Sequence, residues 1–303
     1  MKSKVNISGI IILVIAMFSF NMLAMAGDPE KAKEHFNIAL TFEKEGNDEF
    51  AILEYKAATA EDPSFIDPYI NLGSIYFKMN NIDDAITQFK KVTELDAANA
   101  DGWANLGRAY YKKKAYLEAE NAYKKALEAK SDFYDIYKDM GLMYHNQKNW
   151  PALVESMKSF TTVVKDDNLS FYMLGKAYQK LKKYPEAIEA LNKAAALDPN
   201  YFNTFNTMAQ VYQSQENHNK AFETYDKAVK LKSDHYLALY NRAIEYQTLY
   251  AENDEKIDQI INYWTKFVNV AKNNPRAEKL VPTGEQVIEG LKERKAVLAE
   301  QKK

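Results

Sequence analysis

Bulky and small apolar positions recur along this chain at a fixed interval of 34 residues. Phe42, Tyr76, Tyr110, Tyr144, Tyr178, Tyr212 and Tyr246 form one column. Three residues before each stands a small residue: Ala39, Gly73, Gly107, Gly141, Gly175, Ala209 and Ala243. Seven before each stands a bulkier one: His35, Tyr69, Trp103, Tyr137, Phe171, Phe205 and Leu239. Those offsets put three columns on one helical face, predicting a first helix of about 14 residues in every unit. A second set follows, with Ala51, Ala85, Ala119, Ala187 and Ala221 in one column and Leu153 as its exception. Tyr55, Phe89, Tyr123, Met157, Leu191 and Tyr225 lie four residues on, and Ala58, Val92, Ala126, Phe160, Ala194 and Ala228 three beyond. These predict a second helix, antiparallel to the first. Lys44-Glu45-Gly46-Asn47 and Asn80-Asn81 supply polar turns, and Asp62-Pro63 and Asp198-Pro199 end second helices because proline cannot continue the run. Close helix approach needs small side chains, so Gly or Ala is expected to face Ala across each pair, with aromatics filling the wider gaps. His35, within an aromatic column, is expected to pack. One pair cannot bury its own apolar face, which makes stacking obligatory.

The units run 32–65, 66–99, 100–133, 134–167, 168–201 and 202–235, with a degenerate seventh at 236–271. The fourth departs at Leu153 and Phe160, which predicts shifted or splayed helices. The seventh needs an insertion of about five residues near Tyr250–Lys256 before Ile260, Trp264 and Phe267 regain phase. Residues 272–303 are expected to form a terminal cap, with Thr283 as N-cap, Gln286 completing a capping box, and Val287, Ile288, Leu291 and Leu298 on one face. Asp28-Pro29 supplies an N-cap and a first-turn proline for the opening helix.

This pattern, W-x2-L-G-x2-Y followed by A-x3-F-x2-A and P, resembles the tetratricopeptide repeat. Trp103-Ala104-Asn105-Leu106-Gly107-Arg108-Ala109-Tyr110 matches its first half; Tyr184-Pro185-Glu186-Ala187-Ile188 and Leu197-Asp198-Pro199-Asn200 match its second. The resemblance implies an all-α, right-handed superhelical solenoid of antiparallel helix pairs with a capping helix. It also implies a concave groove lined by first helices. Carried over by phase, the groove residues are Phe77, Lys78, Arg108, Tyr111, Lys112, Lys138, His145, Asn146, Tyr172, Lys176, Gln179, Lys180, Asn206, Gln210, Gln213, Tyr240 and Gln247. Such a surface, basic and aromatic in the middle and amide-rich later, suits an extended peptide with acidic groups. Asn37, Asn71, Asn105 and Asn241 recur at one phase, but Phe36 and Leu40 occupy two places where family members that clamp chaperone C-termini carry lysine and asparagine. That clamp is incomplete.

The first 26 residues have another character. Lys2 and Lys4 precede an apolar run from Ile10 to Phe18, and Ala24-Met25-Ala26 places small residues in an A-x-A pattern. This predicts a secretory signal peptide cleaved after Ala26 and a bacterial periplasmic location. The alternative, a retained membrane anchor, is weakened by Asn6, Ser8, Gly9, Ser19 and Asn21. Without that segment the chain carries 38 basic and 42 acidic residues (40 − 2 against 42), a net −4, which provides no field for nucleic acid. It contains no cysteine, so disulfides, thiolate metal sites and a cysteine nucleophile are excluded. His35, His145, His218 and His235 have no metal-ligand spacing, with His218 expected in a turn. The acidic pairs Asp83-Asp84 and Asp166-Asp167 fit helix starts. No cofactor and no catalytic activity are expected. The function expected is a scaffold for partner proteins or peptides in assembly or regulation of envelope complexes. The alternative is an accessory subunit binding a small molecule or glycan in the later groove, around Asn206, Gln210, Gln213 and Tyr240.

Overall fold

The computed structural model describes residues 27–301; the expected signal segment lies outside the described residues. Those residues form fifteen α-helices and two short 3-10 turns, with no strand among them. The contacts divide the chain into two compact units, one up to Ile136 and one from Tyr137. The first holds α1 Pro29–Lys44, α2 Asp48–Glu61, α3 Ile66–Lys78, α4 Ile82–Leu95, α5 Ala100–Lys112 and α6 Tyr116–Ala129. Helix α7, Asp135–Gln147, begins at the boundary. The second continues with α8 Trp150–Val163, α9 Asn168–Lys180, α10 Tyr184–Leu197, α11 Phe202–Ser214 and α12 His218–Leu231. Next come α13 Tyr236–Tyr250, α14 Ile257–Ala271 and α15 Val281–Gln301.

The helix ends show why this sequence repeats. Asp28 accepts hydrogen bonds from the Glu30 and Lys31 amides, with Pro29 at the first position of α1. At the other end of the first helices, the amides of Asn47, Asn81, Ala115, Asn149, Lys183 and Asn217 donate to the carbonyls of Phe42, Tyr76, Tyr110, Tyr144, Tyr178 and Tyr212. Each is the six-to-one bond of a Schellman turn, which requires the residue just before the donor to adopt a left-handed conformation. Gly46 (φ 78°) does so without strain; Asn80, Lys114, Lys148, Lys182 and Glu216 do so with side chains, at φ 56–65°.

Packing within four of the helix pairs differs from the expected arrangement. At Gly73, Gly107, Gly141 and Gly175 the small column of the first helix meets the bulky column of the second, with the Ala187 backbone also close to Gly175. A Cβ on Gly107 would lie 2.6 Å from the ring of Tyr123, and one on Gly73 2.5 Å from Phe89. The fully buried Tyr123 therefore needs a glycine opposite it because its ring fills the space a methyl would take. His35 also departs from expectation. Its side chain is 34% exposed, and Nδ1 lies 2.6 Å from a Glu54 carboxylate oxygen, so it pairs at the rim and does not pack in the core. In the fourth unit α7 starts one residue later in phase than its counterparts, while Leu153, Met157 and Phe160 are buried in α8.

At the C-terminal end, Ile260, Trp264 and Phe267 of α14 are buried against Leu239, Ala243 and Tyr246 of α13. A 3-10 turn at Asp254–Lys256 takes up the inserted residues. Helix α15 starts earlier than expected. The 3-10 turn Glu278–Leu280 runs directly into Val281, so Thr283 lies inside the first turn and is not an N-cap. The turn upstream nucleates the helix, and Pro282 is tolerated at its second position. Val287, Ile288 and Leu291 pack on the α13–α14 core, while Arg294 and Lys295 form ion pairs with Asp254 and Asp258. Among the described residues no helix is long and apolar enough to cross a membrane.

Candidate functional site

In the first unit, several residues assigned to the groove by phase are engaged within the chain. Phe77 packs against the core cluster of α1 to α6. Lys78 pairs with Asp48 at 2.8 Å, Arg108 donates to Asn105 at 3.2 Å, and Tyr111 lies against Tyr116. Lys112 is exposed at the last turn of α5.

The second unit sorts its residues more sharply. Lys138 is held 2.5 Å from Asp167, the N-cap of α9. Burial alone would raise the Asp167 carboxyl, but Lys138 and the Ser170 hydroxyl hold it below the usual carboxylate range. The amide residues of the later part are largely spent on one another. Gln179 donates to Gln210 at 3.1 Å. Gln213 donates to Glu245 at 2.7 Å and accepts from the Tyr225 hydroxyl, which in turn accepts from Asn241. Gln247 accepts from the indole of Trp264, and Tyr240 packs edge-on against Trp264 and Phe267.

What is left facing outward is a cationic and aromatic patch on three successive first helices, α7, α9 and α11. Lys176 is half-buried, with its amine 5.9 Å from the Tyr172 ring centre. Burial and the neighbouring charge of Lys180 both hold that amine below its ordinary range. Tyr172 stands edge-on to Tyr201 at 5.3 Å, and its hydroxyl bonds Thr207. The side-chain oxygen of Asn206, by contrast, is buried and has no protein donor. His145 packs edge-on to Trp150, and Asn146 is exposed beside it. Burial and the Lys176 charge hold the His145 imidazole below its usual range, opposed by a hydrogen bond with Asn146.

That depression has a measurable sign. A histidine whose folded pKa lies below the unfolded one takes up its proton more readily in the unfolded chain. Stability therefore falls as pH drops below about 6.5 and levels off beneath the folded value. His235, held down by burial and Lys232, acts in the same sense. The H145Q variant is expected to lose less thermal stability than the wild type between pH 7 and pH 5. Parallel melting curves over that range would contradict the assignment.

Glu245 and His218 are partners in the network of Gln213 that phase alone did not single out. Glu245 is 1% exposed and bonds both Gln213 and the Nδ1 of His218, which opens α12 and does not sit in a turn. One signal in the sequence marks it. From the second to the sixth repeat its column holds Ile75, Ala109, Met143, Ala177 and Val211, so a carboxylate there needs partners.

Family models match four of the repeating units. One described as "TPR repeat" covers residues 73–114, and two described as "Tetratricopeptide repeat" cover 169–201, and 100–133 with 202–235. The chain is a tetratricopeptide-repeat protein. No curated protein matches it. Among solved structures it is similar to YrrB, a TPR protein with an unusual peptide-binding site, at 25% identity and a TM-score of 0.57, over 61% of this chain and 96% of that one. It is also similar to the C-terminal part of a TPR repeat-containing protein of Cytophaga hutchinsonii, at 20% identity and a TM-score of 0.68, over 80% of this chain and 98% of that one. PilF of Pseudomonas aeruginosa aligns at 20% identity and a TM-score of 0.53, over 72% of this chain and 97% of that one. These neighbours place the tetratricopeptide-repeat protein in the all-α solenoid class.

Proposed function

We propose that this tetratricopeptide-repeat protein is a non-catalytic scaffold that takes an extended, acidic segment of a partner protein across α7, α9 and α11. The observation that carries the reading is Lys176. Its ammonium is half-buried beside Tyr172, and the charge acting on it is that of Lys180, not of a carboxylate. A cation held in partly desolvated surroundings gains more from an incoming carboxylate than an exposed one does. Tyr172 adds an aromatic face beside the cation. The peptide-binding site of YrrB supports a peptide as the ligand class. The glycan reading loses Gln210 and Gln213, which are hydrogen-bonded within the chain, and Tyr240, which packs against Trp264 and Phe267.

The basic start, apolar run and small-residue exit of residues 1–26 support action outside the cytoplasm, in the periplasm. The mass of the protein recovered from a periplasmic extract tests this, since cleavage after Ala26 leaves a chain beginning at Gly27.

The binding site is tested with immobilised acidic, neutral and basic peptides of matched length. The wild type is expected to prefer the acidic set, and K176E/K180E to lose that preference by about tenfold or more, which is about 1.4 kcal/mol. Retention of acidic peptides by the double variant, with helicity unchanged, would place the binding face elsewhere.

A further inference from the structure

We propose that Arg242 is the anchor of a separate binding site for a small organic anion, a carboxylate or phosphate on a short apolar stem, between α12, α13 and α14. This site lies on a different side of α13 from Tyr240 and does not depend on the peptide-binding reading. Arg242 stands in a column that is otherwise apolar: Ile38, Leu72, Leu106, Met140, Leu174 and Met208. Its side chain is only 6% exposed. One guanidinium nitrogen, Nη1, reaches Asp226 at 3.0 Å, and the group lies 4.7 Å from the Tyr263 ring centre. The other two, Nε and Nη2, are buried with no protein acceptor.

Those two donors share one edge of a planar fork, the edge that grips a carboxylate or phosphate with two parallel bonds. Leaving both unmet in a buried cation is costly, whereas leucine at the same phase would pack without that cost. Arg242 also lines a cleft of about 460 Å³, a size that suits a small ligand. Lys230, Lys266, Ser233 and Asn269 line its polar side, and Val229, Leu239 and Val270 its apolar side. Lys230 and Arg242 share Asp226, so with Lys266 three cations meet one carboxylate, a net +2 (3 − 1). An anion therefore completes the hydrogen bonding of the guanidinium and meets a positive potential, while a short stem covers the apolar wall.

The experiment uses the full chain, with sodium hexanoate and inorganic phosphate as probes and sodium chloride at matched ionic strength as control. The Arg242 Nε–H resonance and the thermal midpoint are followed. Saturable shifts of that resonance with hexanoate or phosphate, but not with chloride, are expected. A peptide with a free C-terminal carboxylate, compared with its amide, separates a peptide terminus from a free acid as the source of the anion. R242L, which restores the residue of the second, third and fifth units, is expected to keep its helicity and ligand-free stability and to lose the response by about tenfold or more. A wild type insensitive to both anions at tens of millimolar, or an R242L variant responding as the wild type does, overturns the proposal.

Discussion

Replacement of Trp264 by Ala is expected to remove about 3–5 kcal/mol from the C-terminal part of the second unit, among the largest effects of any single change. Trp264 is 2% exposed and is the largest of the fully buried side chains. Its ring is wedged between Tyr240 and Phe267, and its indole N–H donates to Gln247 at 2.8 Å. Truncation leaves a cavity that helices on both sides cannot close, and it orphans a half-buried amide oxygen. In a repeat array each helix pair leans only on its neighbours, so the loss appears locally and not as one global transition. Hydrogen exchange is therefore the measurement of choice. Amides of α13, α14 and α15 should lose protection in W264A while those of α9 and α10 keep theirs. Uniform loss across the second unit would show that it melts as a single body.

Glu245→Ala follows closely, with an expected cost of about 3 kcal/mol. The buried carboxylate receives the Gln213 amide and the His218 ring, both at 2.7 Å, and so ties α11, α12 and α13 together. Removing it strands two polar groups, and Gln213 also loses the partner that orients it towards the Tyr225 hydroxyl. Glu245→Gln retains one acceptor and should lose only part of this stability. Urea denaturation of the three proteins gives the order wild type, E245Q, E245A. An alanine variant as stable as the wild type would show that the network contributes nothing to holding these helices together.

Both residues illustrate how far the chain can be understood without coordinates. The 34-residue columns announce helix pairs because an α-helix sets side chains at fixed angles, and repetition at one phase is a local property. Trp264 was legible in that way, returning to phase after the insertion, and so were the helix ends at Glu61 and Leu197. Breaks in the columns were legible too. Glu245 follows Ile75, Ala109, Met143, Ala177 and Val211 of the second to sixth repeats, and Arg242 follows isoleucine, leucines and methionines. A charge in an apolar column signals an unusual interior, but not what it meets there.

The partners were decided by the tertiary structure alone. Gln213 and Glu245 are 32 residues apart, Gln179 and Gln210 31 apart, and Tyr225 and Gln213 12 apart. Whether such side chains bond one another or face a ligand depends on rotamer and on how successive helices lean together, neither of which a phase can express. The same limit explains Tyr123 against Gly107, where phase placed small beside small and packing placed a ring beside a glycine. It also explains Thr283, whose capping role was taken by a turn formed upstream. The sequence by itself determined the repeat and the helix pairs. The tertiary structure decided which polar groups are spent on one another and which, like the Nε–Nη2 edge of Arg242, have no protein partner, because a hydrogen bond depends on ångström distances between helices that periodicity does not contain.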